Sequence, residues 1–89
     1  MRFDENELRV EARRRISLGH LPCVAQHYLW AGPGDGRPCS LCDRPIDPRQ
    51  IEYELEFPLI PEMEMRFHRI CHQVWELECD WHTSVHSGE

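Results

Sequence analysis

The residues that decide the fold run from 38 to 72: PCSLCDRPIDPRQIEYELEFPLIPEMEMRFHRICH. The stretch opens on Cys39-Ser40-Leu41-Cys42 and closes on His68-Arg69-Ile70-Cys71. Two thiolates separated by two residues can grip one ion from a tight turn and leave two tetrahedral positions open. The second pair supplies two more ligands at the same spacing. Between the pairs, Ile51, Tyr53, Leu55 and Phe57 alternate with Glu52, Glu54 and Glu56, the period of a strand with one apolar face. After the turn at Pro58–Glu62, Met63, Met65 and Phe67 alternate with Glu64, Arg66 and His68. The spacing predicts an antiparallel hairpin, with Arg66 close to the glutamates of the partner strand.

Outward from this stretch the pattern becomes helical. From 69 to about 81, Ile70, Val74, Leu77 and Trp81 recur at spacings of four, three and four, which predicts a helix laying that stripe on the hairpin. Cys71 then falls in the first turn of that helix, where the dipole favours a thiolate. The tail HTSVHSGE is polar and is expected to fray. On the other side, GPGDGRP at 32–38 excludes a regular element and leads into the Cys39 turn. It lacks the features of a phosphate-binding loop. Val24, Tyr28, Leu29 and Trp30 are expected in a short strand or turn. Asp4 to Leu18 reads as a helix capped by Asp4 with Glu7 three residues on. Leu8, Ala12 and Ile16 form its apolar stripe, and Gly19 and Pro22 end it.

The whole chain limits the alternatives. At 89 residues it is one small domain. A core of this size supplies about 3–5 kcal/mol, so a metal, disulfides or an oligomer is expected to reinforce it. Five cysteines fit poorly with complete disulfide pairing. The charged start MRFDENELRVEARRR is expected to be neither a leader nor an anchor. The expected compartment is therefore the cytosol, where thiols stay reduced and read as ligands. A redox role for Cys39 and Cys42 would need a strand before them and a helix starting on the first thiol. A Gly-rich loop and prolines stand there instead. Cys23 and Cys79 read as small buried apolar residues. The expected site is one structural zinc ion held by Cys39, Cys42, His68 and Cys71, with His72 as the alternate ligand. The fold class is α+β: a zinc knuckle, a hairpin and a C-terminal helix over 23–82, an arginine-rich helix over 1–22, and a tail over 83–89.

The order Cys-x2-Cys, hairpin, His-x2-Cys resembles a treble-clef zinc finger, and the ligand order looks like the first zinc site of a LIM domain. The gap from Cys42 to His68 is longer than in LIM domains and a second site is missing, so a full LIM domain is not expected. The pattern CSLC…IEYELEF…RFHRICHQVWELE is similar to small zinc-finger-like proteins of proteobacteria. The likeness covers roughly residues 12–79, with GHLP, WAGPGDGRPCSLC and FHRICHQVWELE its most specific parts. It implies a bacterial cytosolic protein and leaves activity open. Many zinc knuckles carry Gly after the second Cys; here Asp43 stands there.

Four ligands would close the metal shell, whereas a catalytic zinc keeps a position open for water. The deaminase order His-x-Glu…Pro-Cys-x-x-Cys is absent, as are nucleophile motifs, so no enzyme is expected. The net charge of −6 argues against a broad phosphate-binding face. Arg9, Arg13, Arg14 and Arg15 stand apart from this acidic background and are the expected partner-binding residues. Trp30, Trp75 and Trp81 exceed what so small a core needs. The expected function is a protein-binding adaptor or regulatory module, with self-association as a homodimer one use of the arginine helix. Nucleic-acid binding through the same arginines is the alternative, and no membrane role is expected.

Overall fold

In a computed structural model, residues 4–23 and 27–86 are described, with the side chains of 85 and 86 left aside. The element order is α1 (Glu5–Ser17), β1 (Tyr28–Pro33), β2 (Ile51–Glu56), β3 (Glu64–His68) and α2 (Arg69–His86). The three strands form one antiparallel sheet in the order β1-β2-β3. Among the described residues no helix is long and apolar enough to cross a membrane.

The expected hairpin is β2 and β3, in the register Tyr53 opposite Phe67 and Leu55 opposite Met65. Leu55, Met65 and Phe67 are buried on one face. On the other face Arg66 lies 3.5 Å from Glu54, 3.9 Å from Glu52 and 4.0 Å from Glu64, which offsets part of the repulsion among the carboxylates. The sheet gains a third strand that the sequence marked only loosely. β1 starts at Tyr28 and runs through Gly32 and Pro33, the first two residues of the expected loop. Proline is tolerated there because β1 is an edge strand. Val24 lies outside the described residues.

α1 follows its expected pattern. The Asp4 carboxylate accepts from the Glu7 amide at 2.8 Å, Gly19 takes φ 79° beyond the last turn, and Leu8, Ala12 and Ile16 are buried. α2 departs from its expected pattern twice. It continues through His86, so most of the tail expected to fray is helical, while 87–89 lie outside the described residues. Its buried face is also rotated from the expected stripe. Val74 is buried, but Ile70, Leu77 and Trp81 are exposed, and Cys71, Trp75 and Glu78 face inward instead.

Glu78 explains the rotation. Its side chain is fully buried, yet it takes Arg9 Nε at 2.8 Å and Arg13 Nε at 2.5 Å from α1. These two arginines sit one turn apart, so they grip one carboxylate together. Arg13 also lies 4.5 Å over the Trp81 ring, a cation–π contact. Arg15 turns the other way: it bonds Glu11 at 2.5 Å, Asp43 at 2.6 Å and the Ser40 carbonyl at 2.9 Å. Arg14 pairs with Glu11 at 2.6 Å. One core cluster joins α1, the sheet and α2. A Cys23–Cys79 disulfide and a bond from Trp75 Nε1 to the Pro22 carbonyl at 3.0 Å tie the segment after α1 to α2.

Burial works to raise the Glu78 carboxyl, but hydrogen bonds from Arg13 and Arg9 outweigh it and hold the group below its ordinary value of 4.5. A carboxyl depressed in the fold stabilises above its unfolded-state value, and that stabilisation is lost as pH falls. In a variant carrying Arg9→Gln and Arg13→Gln, burial alone acts on Glu78. The urea midpoint near neutral pH is expected to fall below that of the wild type. The gap is expected to narrow as pH drops through about 4.5 and the buried carboxyl takes up a proton. A gap that stays constant with pH would contradict this role for Glu78.

Candidate metal centre

The Cys39–Cys42 segment is a tight reversal of the chain. Pro38 and Pro45 face each other as an isolated bridge, the Cys39 amide donates to the Arg44 carbonyl at 2.9 Å, and the Ile46 amide to the Arg37 carbonyl at 3.0 Å. Gly34 allows the Gly-rich loop to pass this turn. A Cβ there would come within 2.5 Å of the Asp47 carbonyl oxygen and closer still to that of Ile46. Asp43 resolves the missing glycine of the knuckle. It has φ 64°, the left-handed conformation for which glycine is the usual choice and which Asp tolerates better than most residues. Its amide closes the turn onto the Cys39 carbonyl at 3.0 Å, while its carboxylate receives Arg15.

Ser40 docks this turn on the sheet. Its amide donates to the Arg66 carbonyl at 2.7 Å, and its hydroxyl accepts from the Arg66 amide at 3.0 Å. The knuckle therefore lies beside the strand that delivers His68, and α2 starts at the next residue and delivers Cys71 in its first turn. Sequence reasoning missed Ser40, Arg15 and Asp43 as parts of this support. Only the proximity of Ser40 to the Cys pair could have signalled the first.

The four expected ligands come together. One donor atom from each of Cys39, Cys42, His68 and Cys71 lies within 4.8 Å of every other. His68 Nδ1 is 3.4 Å from Cys42 Sγ and 4.0 Å from Cys71 Sγ. Tetrahedral coordination with metal–sulfur bonds of about 2.3 Å and metal–nitrogen bonds of about 2.0 Å separates such ligand atoms by roughly 3.5–3.8 Å. The set fits a metal ion.

The imidazole is already oriented. His68 Nε2 lies 3.2 Å from the Pro45 carbonyl, so the proton belongs on Nε2 and Nδ1 is left as the ligand atom. His72, the alternate, stands elsewhere. Its Nδ1 lies 3.5 Å from Glu76, its ring packs against Tyr53, Phe67 and Trp75, and its Nε2 is buried without a hydrogen-bond partner. Burial lowers its basicity, and the ring belongs to the core, away from the four clustered ligands.

The thiols also show what an ion would relieve. Hydrogen bonds from Cys39 and then Cys71 pull Cys42 down to about 2. Donating to Cys42 pushes Cys39 up, and the crowding by Cys39 and Cys42 pushes Cys71 up further. Sulfurs this close together disfavour one another's ionisation, and a cation between them would allow all three to ionise. The remaining cysteines depart from expectation. Cys23 and Cys79, expected as small buried apolar residues, are partly buried and form the disulfide, so five cysteines divide into one disulfide and three free thiols.

Of the expected partner residues, Arg15 reaches the knuckle through Asp43 and the Ser40 carbonyl, while Arg9, Arg13 and Arg14 do not gather at this site, and each of the four has an ion pair within the chain. The arginines beside the site are Arg44, Arg49 and Arg69, which line a cleft of about 940 Å³ together with Cys42, His68 and Cys71. No family model, characterised protein or solved structure matches this chain.

The two histidines are expected to separate cleanly in a competition titration against a chromogenic zinc chelator. His68→Ala should weaken binding by roughly tenfold or more, because it removes a ligand. His72→Ala should leave affinity and stoichiometry unchanged while lowering stability. The reverse pattern would place the imidazole ligand at 72. Asp43→Gly should keep the ion and change stability by no more than about 1 kcal/mol, since relief of the left-handed strain offsets an exposed ion pair.

Proposed function

We propose that the ion is a single structural zinc in a treble-clef-like domain and that the protein is a protein-binding adaptor or regulatory module, not an enzyme. The observation that carries this reading is the closed donor set. Three thiols and one imidazole converge from three separate elements, and four protein ligands leave no position for a reacting water. Soft thiolates with imidazole in a tetrahedral arrangement suit zinc among the common divalent ions. Zinc binding in small fingers is worth about 10–16 kcal/mol at neutral pH, more than the ~3–5 kcal/mol expected of such a core.

Protein binding is supported by what the metal leaves exposed. Tyr28, Leu29 and Trp30 follow one another on an edge strand and are all exposed. Exposed aromatic side chains such as Tyr28 and Trp30 are characteristic anchors at interaction sites. Nucleic-acid binding is the second reading, favoured by the cleft lined by Arg44, Arg49 and Arg69 beside the site. The overall charge of −6 weighs against it.

Affinity capture from lysate, with tagged metal-loaded protein beside a Cys42→Ser control, tests the reading. Discrete protein partners are expected on the metal-loaded chain alone, and nuclease treatment should not release them. Identical capture by the control would contradict a zinc-dependent module. Partners lost on nuclease treatment would favour the second reading.

A further inference from the structure

β1 stands apart from the rest of the domain. Its only neighbour is β2, and no strand among the described residues pairs with its outer edge. Both helices pack elsewhere: α1 lies on α2, and α2 lies on β2 and β3. Tyr28, Leu29 and Trp30 are 59%, 47% and 56% exposed, so side chains on both faces of this strand reach solvent. Folded domains usually blunt a sheet edge with charge, a bulge or a covering loop. The segment YLWAGP carries no charged residue.

The register then places specific groups beside the exposed rings. Tyr28 lies opposite Glu56, which lies opposite Glu64, so one cross-strand row reads aromatic, acid, acid. Trp30 lies opposite Glu54, which lies opposite Arg66. Like charges directly opposite each other destabilise a sheet. Glu56 has no ion pair among the described residues, and Glu64 has only Arg66 at 4.0 Å. On the same face Glu52 is nine-tenths buried, and its Oε1 has no hydrogen-bond partner. Positive charge on this face falls short. Arg37 and Arg66 are shared among Glu52, Glu54 and Glu64, and Arg37 also pairs with Asp35.

We infer that the outer edge of β1 is a docking strand for an extended, arginine- or lysine-bearing segment of a partner protein. This inference deepens the protein-binding reading and rests on it. The segment adds a fourth strand through main-chain hydrogen bonds, and alternate side chains fall on the two faces. Cationic side chains on the acidic face meet the Tyr28 and Trp30 rings and the Glu54, Glu56 and Glu64 carboxylates. Apolar side chains on the other face meet Leu29. Charge also decides against a second copy of the chain as occupant. Antiparallel pairing of two β1 edges would join two acidic faces into one surface, each from a chain of net charge −6.

The test uses the metal-loaded full chain to select from a displayed library of random peptides about ten residues long. Recovered peptides are expected to be net positive, with arginine or lysine at alternate positions. A synthetic copy of the best should lose roughly tenfold or more in affinity to Trp30→Ala and to a Glu54→Gln, Glu56→Gln double variant, and should weaken with added salt. It should also slow hydrogen exchange of β1 amides. Both variants are at surface positions and should retain the metal, which native mass measurement checks. Recovery of acidic or neutral peptides, equal affinity for the variants, or no recovered peptide would overturn the inference, as would concentration-dependent dimerisation abolished by Trp30→Ala. Repeating the lysate capture with Trp30→Ala separates the two claims. Partners retained by this variant sink the docking strand and leave the adaptor reading standing, whereas a wild type that captures no protein sinks both.

Discussion

Three buried thiols and an imidazole share a space in which every donor atom lies within 4.8 Å of the others. Without a cation, the sulfurs disfavour one another's ionisation. With a divalent ion, the same crowding becomes four bonds. This constraint acts on three parts of the chain that have little independent means of staying together. The knuckle is a turn held by a few backbone hydrogen bonds, β3 has only five residues, and α2 begins directly at its end. The ion site is where they meet, and Ser40 fixes the approach of the knuckle to β3 through two further bonds.

A second set of restraints attaches α1. Apolar contact from Leu8, Ala12 and Ile16 gives area but little direction. Direction comes from polar groups: Arg9 and Arg13 on Glu78, and Arg15 on both Asp43 and the Ser40 carbonyl. Arg15 thereby links α1 to the knuckle. The disulfide between Cys23 and Cys79 crosslinks the segment after α1 to the far part of α2, away from the three free thiols. The chain thus divides its cysteines between two different reinforcements.

Local patterns made much of this legible. Ligand spacing, strand alternation and the Asp4 cap are each contained within a few residues; the ligands and the cap appear as expected, and the alternation holds at Leu55, Met65 and Phe67 but not at Ile51, which is exposed, or Glu52, which is buried. What could not be read depends on partners distant in sequence. The buried face of α2 was misplaced because a glutamate ordinarily marks the solvent side, and only two arginines 65 and 69 positions away make Glu78 an inward residue. The exposed Ile70, Leu77 and Trp81 are the other half of that error. β1 was indistinct because it has no buried face to enforce alternation. Pairing of Cys23 with Cys79 spans 56 residues and leaves no local trace. Asp43 looked like a flaw in the knuckle because the sequence does not display its positive φ or its bond to Arg15.

The candidate metal site and the proposed docking edge occupy different parts of the sheet: His68 ends β3, while the exposed Tyr28–Trp30 run lies on the opposite edge, across β2. The ion would maintain the surface without touching it. X-ray absorption at the zinc edge of the purified, metal-loaded protein tests the central claim most directly. Three sulfur neighbours at about 2.3 Å and one nitrogen at about 2.0 Å are expected, with no oxygen in the shell. A shell containing oxygen, a shell of four sulfurs, or a well-folded protein carrying no metal would contradict it.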